Sequence, residues 1–338
     1  MNKGIAIAGN LIVDNVKMCD VYPESGMLTN IREVSRCIGG CAGNTIADLA
    51  IIDPSLKLQC IGMVGSDADG VYVKELLTKL GVDVSGVKTT EEAPTSFTDV
   101  MTSIANKQRT FFQARGANAC FSLSDIDFDH LEVDIFHIGY ALLLDAFDKE
   151  DPEYGTVMAR ALAMAQSKGI KTSLDVVSEN SDRFSRIVTP SLRYCNYAIL
   201  NEVEASMVAG IPIRDEKEKI LEENIKAICR VFFDKGVKDL VCIHSPEGGW
   251  SMAADGSFVG VPSVNVPKDY IKGKVGAGDA FCAGMLYSLY KGFDLEYSLH
   301  VAGASAAANL SEKNSIDGLR PFAEMMELDA RYPGVKTW

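Results

Sequence analysis

Positive charge is in short supply in this sequence: 33 lysines and arginines stand against 46 aspartates and glutamates, a formal net charge of -13. So acidic a chain is a poor partner for nucleic acid or an anionic membrane, because phosphate contacts need a basic surface. A small anionic substrate is still compatible, since one local positive site can oppose the global field. Long apolar runs are missing as well. No stretch reaches the roughly 18 apolar residues that a spanning helix needs. The apolar part of the N-terminus, residues 5–8, is too short for a signal peptide and is followed by no plausible cleavage site. The nine cysteines form no CxxC pair, their nearest spacing being Cys37 to Cys41, and fit a reducing compartment better than a disulfide framework. Histidine is scarce. His130, His137, His244 and His300 have no ligand-like spacing to one another or to cysteine, so spacing predicts no zinc site. There are no internal repeats and no low-complexity linker. The expectation is one cytoplasmic domain.

What is present is ordinary globular composition, 47% hydrophobic and 23% charged, in an alternating order. Buried-strand runs fall at residues 5–8, 58–64, 135–138, 170–176, 197–200 and 239–243. Helical periodicity falls at 69–80, 152–168, from 202 onward, 216–234, 280–291 and 295–310, and a further apolar helix opens after Gly39-Gly40. A hairpin over 251–261 turns at Asp255-Gly256. Strands alternating with helices imply a mostly parallel sheet covered on both faces. Two β-rich patches interrupt the alternation. One joins 16–18 to 31–34 across the turn cluster Tyr22-Pro23-Glu24-Ser25-Gly26, and the other joins 96–102 to 109–112 across Asn106-Lys107. They predict a separate small sheet, a lid inserted at about 15–37 and 96–114 into a single domain spanning 1–338.

Five places carry chemistry-bearing residues. Gly273-Lys274-Val275-Gly276-Ala277-Gly278-Asp279 runs straight into a tightly packed apolar helix. Such a turn leaves the first backbone N–H groups unpaired at the positive end of the helix dipole, and its small residues let a phosphate approach. An acid at that spot is either a first-turn carboxylate favoured by the dipole or a proton acceptor. The loop is neither a Walker A sequence nor the dinucleotide fingerprint. Gly39-Gly40 with Asn44 one turn later gives close backbone approach beside an amide that both donates and accepts. Asn201-Glu202-Val203-Glu204 follows a buried strand; a capping box explains it, and so does a place at the carboxyl end of a parallel strand, where ligands bind. Asp14 ends a hydrophobic strand, either to hold a polyol or to form a turn. Arg115-Gly116-Ala117-Asn118 follows the second β patch and is a cleft segment or a polar turn.

In this order, the elements at Gly9 to Asp14, Gly39 to Asn44, Asn201 to Glu204 and Gly276 to Asp279 resemble the ribokinase-like (pfkB-type) carbohydrate kinase family, along essentially the whole chain. The resemblance implies a three-layer α/β/α sandwich with a mostly parallel central sheet and a β-sheet lid that often also makes a homodimer interface. It implies an ATP-dependent kinase acting on a primary hydroxyl of a small sugar. Asp279 would be the general base, and the N–H groups of Gly276, Ala277, Gly278 and Asp279 the anion hole. Asp14, Gly39, Gly40, Asn44, Arg115 and Asn118 would hold the sugar. Asn201, Glu204, His244, Gly249 and Lys274 would face the nucleotide, with Glu204 acting on magnesium through water.

Two departures from the family pattern stand out. Where the family usually has Asp-Thr ahead of the glycine loop, this chain has Gly273-Lys274, which counts against the monovalent-cation site of many members. Where the family tends to show Thr-x-Gly-x-x-Gly, the run here is His244-Ser245-Pro246-Glu247-Gly248-Gly249. Two other readings remain open: a nucleoside kinase of the same fold, and a sugar-binding protein with impaired transfer.

Overall fold

Neighbouring residues of the first strand are buried in different cores, which is the simplest sign of a sheet covered twice. Ile5 and Ile7 belong to the core that holds Leu49, Met285 and Leu286, whereas Ala6 and Ala8 belong to the one that holds Phe136, Leu162 and Phe232. The computed structural model describes residues 3–106, 108–177 and 183–338. Its main sheet has nine strands, in the order Phe258–Pro262, Gly248–Ala253, Leu240–Ser245, Tyr197–Asn201, Lys171–Val176, Ile135–Ala141, Ile5–Gly9, Leu58–Gly65 and Asp83–Thr90. From Leu240–Ser245 to Asp83–Thr90 all neighbours are parallel; the other two strands are antiparallel.

Helices Cys41–Ile52, Ala68–Lys79, Ala277–Lys291, Leu295–Asn309 and Phe322–Arg331 cover one face. Val157–Ser167, Glu202–Ala209 and Glu222–Asp234 cover the other. The expected three-layer α/β/α sandwich is the observed one. No described helix is long and apolar enough to cross a membrane.

A second sheet of four strands stands apart, in the order Ile31–Gly39, Ile12–Cys19, Phe97–Ser103 and Arg109–Ala114. Its outer pairs are antiparallel and its central pair is parallel. The first two strands are longer than the short runs read from sequence. In the expected Asn106-Lys107 turn, Lys107 lies outside the described residues.

Boundaries moved where a side chain bonds locally to the backbone. The helix expected over 152–168 begins at Val157, because Thr156 accepts a hydrogen bond from the Ala159 N–H at 3.1 Å and so caps it there. The helix expected over 216–234 begins at Glu222, because the Asp215 carboxylate accepts from the Lys217 and Lys219 N–H groups and folds that stretch into a turn. The edge strand Asp83–Thr90 has no counterpart among the expected strands. Only Val87 of its eight residues is buried, so it carries no hydrophobic run.

Candidate active site

Asn10, Tyr140, Asp175, Asn201 and His244 all lie at the carboxyl ends of adjacent parallel strands, the place where open α/β sheets bind ligands. Two helix N-termini, side by side on one face of the sheet, open at this edge. One belongs to Cys41–Ile52, opened by Gly40, and the other to Ala277–Lys291, opened by Gly276.

Asp279 lies between them, buried at 6% exposure. The Asn44 amide donates to Asp279 Oδ2 at 2.8 Å, and the Tyr140 hydroxyl donates to Oδ1 at 2.7 Å. Burial pushes the Asp279 carboxyl above its ordinary value, and these two hydrogen bonds pull it back by favouring the charged form. The result is a carboxylate held by donors on both oxygens, oriented and ready to take a proton.

The loop ahead of it is built for close approach. Gly276 adopts φ 79°, and a Cβ there would fall 2.7 Å from Ser315 Cβ, so no other residue suits it. Gly278 differs. It is exposed, and a Cβ there would meet only His244 Cε1, at 3.5 Å. It forms part of the floor of a cavity of about 530 Å³, whose wall includes Asn201, His244, Val264, Lys274 and Leu310. The first N–H groups of the helix have no intrahelical partner and carry the positive dipole end. Lys274 adds a full charge, and among the described residues no carboxylate pairs with it. A slot of this kind, ending in N–H donors and a lysine, offers what an anionic group needs for binding.

On the lid side, Asp14 lies in the strand Ile12–Cys19. Burial raises its carboxyl to about 6, a hydrogen bond from Thr98 opposes the rise, and the Asp279 charge adds to it. A Cβ on Gly39 would overlap the Asp14 carboxylate, and one on Gly40, at φ 79°, would overlap the Asn10 carbonyl. The paired glycines leave the room that Asp14 occupies.

The remaining expected residues divide. Asn201 accepts from the Val203 and Glu204 N–H groups, while Glu204 accepts from the Asn201 N–H at 3.0 Å and from its side-chain amide at 2.6 Å. This is the capping box read from sequence, and it presents an oxygen-rich pair beside the cavity, a donor set suited to a hard cation. His244 stacks on Phe281 at 4.6 Å between ring centroids, and burial pushes its imidazole down to about 4, so it faces the cavity neutral. Gly249 does not line the cavity; a Cβ there would meet Phe281 Cζ at 2.9 Å, which makes it a packing glycine. Asn118 is buried and spends its amide on the Leu11 backbone, donating to the carbonyl and accepting from the N–H, both at 3.1 Å. Arg115 donates to the Leu143 carbonyl at 2.9 Å. These last three support the site without entering it here.

Sequence reasoning missed Tyr140 and two buried acids, Asp48 and Asp175. Burial, and then the Asp279 charge, pushes both acids well above the ordinary carboxylate range. Tyr140 was within reach of a rule, since it lies at the carboxyl end of a recognised strand. Asp48 is one helical turn beyond Asn44, a spacing that by itself reads as an ordinary helix-face acid.

Known proteins resemble this chain along most of its length. The family model of the pfkB family carbohydrate kinases matches residues 5–321. A 5-dehydro-2-deoxygluconokinase of Shouchella clausii (strain KSM-K16) is 23% identical over 314 residues, covering 88% of this chain and 87% of that protein. A nucleoside kinase of Methanocaldococcus jannaschii is 21% identical over 326 residues, covering 96% and 95%. Among solved structures, Arabidopsis thaliana ribokinase complexed with ribose and ATP superposes with a TM-score of 0.77 at 19% identity, covering 97% of this chain and 99% of that one.

Proposed function

The chain belongs to the pfkB family of carbohydrate kinases, and from that premise we propose that it transfers the γ-phosphoryl group of ATP to a hydroxyl of a small sugar held under the lid. The observation that carries this reading is Asp279 itself. It is a buried carboxylate clamped by Asn44 and Tyr140, with an anion-attracting helix terminus and cavity on one side and Asp14 with its glycines on the other.

In the proposed reaction, the sugar enters against Asp14 and Asn44, and its reacting hydroxyl displaces the Tyr140 hydroxyl or joins it at the Asp279 carboxylate. Asp279 takes the hydroxyl proton as the sugar oxygen bonds to the γ-phosphorus. The bond from that phosphorus to the bridging oxygen breaks, and ADP leaves with the bridging electrons. Charge developing on the transferred group is met by the N–H groups of Gly276, Ala277, Gly278 and Asp279, and by Lys274. Asn201 and Glu204 are the residues that would hold magnesium, through water, and magnesium supplies charge neutralisation for the phosphates when bound. Asn118 and Arg115 keep the substrate wall in place from behind.

A nucleoside in place of the sugar is the second reading, favoured by the similarity to the nucleoside kinase of Methanocaldococcus jannaschii. A panel of sugars, sugar acids and nucleosides, assayed for ADP release with magnesium and ATP, separates the two. Release with no member of the panel would favour a sugar-binding protein with impaired transfer.

The lid exposes Met27 and Leu28 just before the strand Ile31–Gly39, Val34 on that strand and Phe111 on the opposite edge strand, at 60–86%. So much apolar surface on one small sheet supports a homodimer through the lid. Light scattering on the purified chain tests it.

A further inference from the structure

Beneath the floor of the site, three buried side chains of different chemistry converge. His137, Asp175 and Cys282 come from the strand Ile135–Ala141, the strand Lys171–Val176 and the second turn of Ala277–Lys291. All three are buried, and one donor atom from each lies within 4.8 Å of the others. His137 Nε2 is 3.9 Å from Asp175 Oδ2. Neither His137 Nε2 nor Asp175 Oδ1 has a hydrogen-bond partner among the described residues. Ser173 Oγ engages the other ring nitrogen, Nδ1, at 3.0 Å, which fixes the ring and leaves Nε2 aimed into the cluster. Cys41 adds a second thiol: a Cβ on Gly139 would fall 2.8 Å from its Sγ and would overlap the Asp175 carboxylate as well.

Orphaned polar atoms in a buried place are costly unless something satisfies them. The donors on offer are one imidazole nitrogen, one carboxylate and one or two thiols. That set suits a borderline divalent ion and is a poor match for magnesium or calcium, which take oxygen. We propose that His137, Asp175 and Cys282, with Cys41 beside them, bind a single zinc-type cation under the active site. As the sulfur–metal bond forms, the Cys282 thiol proton leaves to the solvent, and the charge of the ion is met by thiolate and carboxylate. Four chain segments supply the donors, so no spacing along the sequence could reveal the set. Cys282 is three residues beyond Asp279, Cys41 follows Gly40 and His137 is three residues before Tyr140. An ion there would tie together the elements that carry the base and its two clamps.

The test uses the full-length chain, stripped with a chelator under a non-thiol reductant and titrated with Co²⁺ as an optical probe for the zinc-type site. Expected is uptake of about one Co²⁺ per chain with a thiolate-to-cobalt charge-transfer band, which Zn²⁺ abolishes by displacement. Cys282→Ser should lose the band, while Cys19→Ser in the lid should keep it. Ser173→Ala retains every donor and should bind about 10–100-fold more weakly, as a lost outer partner does. Should Cys282→Ser fail to fold, the wild-type titration and Ser173→Ala decide the matter alone. No stoichiometric uptake by the wild-type chain, meaning that the cluster holds only water, would overturn the proposal, as would a band that survives in Cys282→Ser. Metal uptake is read without turnover, so the result stands apart from the kinase reading.

Discussion

The amide of Asn44 donates to the carboxylate of Asp279 at 2.8 Å, across 235 positions of sequence. That one contact joins the helix Cys41–Ile52 to the helix Ala277–Lys291. With the hydrogen bond from Tyr140 it also favours the ionised form of Asp279, against the larger effect of burial, which raises that carboxyl.

Removing either donor should therefore move the acid limb of the rate profile. In Tyr140→Phe and in Asn44→Ala the Asp279 carboxyl rises further, so activity should fail at a higher pH as the solution is acidified. Asn44→Ala should also raise KM for the sugar. The check is kcat/KM against pH for the three proteins; an acid limb that stays in place or moves downward in both variants contradicts the assignment.

The two loop glycines should fail in different ways. Gly276→Ala puts a side chain at φ 79° against Ser315 and should cost about 1–3 kcal/mol of stability. Gly278→Ala meets only open cavity and the His244 ring; it should fold normally but lose nucleotide affinity. Thermal unfolding and the ATP KM read the two effects apart. Equal stability losses in both would show that the Gly278 position is closed.

Asp14 makes a pH-dependent contribution with a definite sign. Its folded value of about 6 lies above the ordinary 3.8, so the folded chain holds the extra proton between those values. Stability from this group is present at low pH and is lost as pH rises through about 6. Asp14→Asn should thus be more stable than the wild type at pH 8, by on the order of 1 kcal/mol, with the gap closing toward the ordinary carboxylate value. Urea unfolding at both ends of that range measures it. A variant less stable than the wild type at pH 8 would show that Asp14 is stabilised as an anion.

Potassium should matter little. Gly273 stands where the family pattern expected from the sequence has an acid, and a Cβ there would fall 2.6 Å from the Glu312 carbonyl oxygen. The backbone of residues 312–313 has closed over the position. Replacing sodium by potassium in the assay should leave kcat nearly unchanged, and a strong dependence would mean that other groups hold the cation.

Much of this site was legible in the sequence because its parts are local. A glycine turn into a helix, an Asn-x-x-Glu cap and an alternation of strands and helices each span a few residues. Their physics is therefore complete within a short window. Tyr140, Asp48 and Asp175 were missed because their significance comes from what the sheet places opposite them. The strand Asp83–Thr90 was missed for a related reason: an edge position asks for little apolar pattern. Asn118 went the other way. It had the residue type of a sugar ligand, but the fold spends its amide on the Leu11 backbone.

The most direct test of the central claim is single-turnover phosphoryl transfer by Asp279→Asn, with sugar binding measured on the same preparation. With the base removed and the amide of similar shape in its place, transfer should fall by roughly 10²–10⁴-fold, while sugar affinity stays within a few-fold of the wild type. Transfer at near the wild-type rate in a variant that still binds sugar would contradict the assignment of Asp279 as the base.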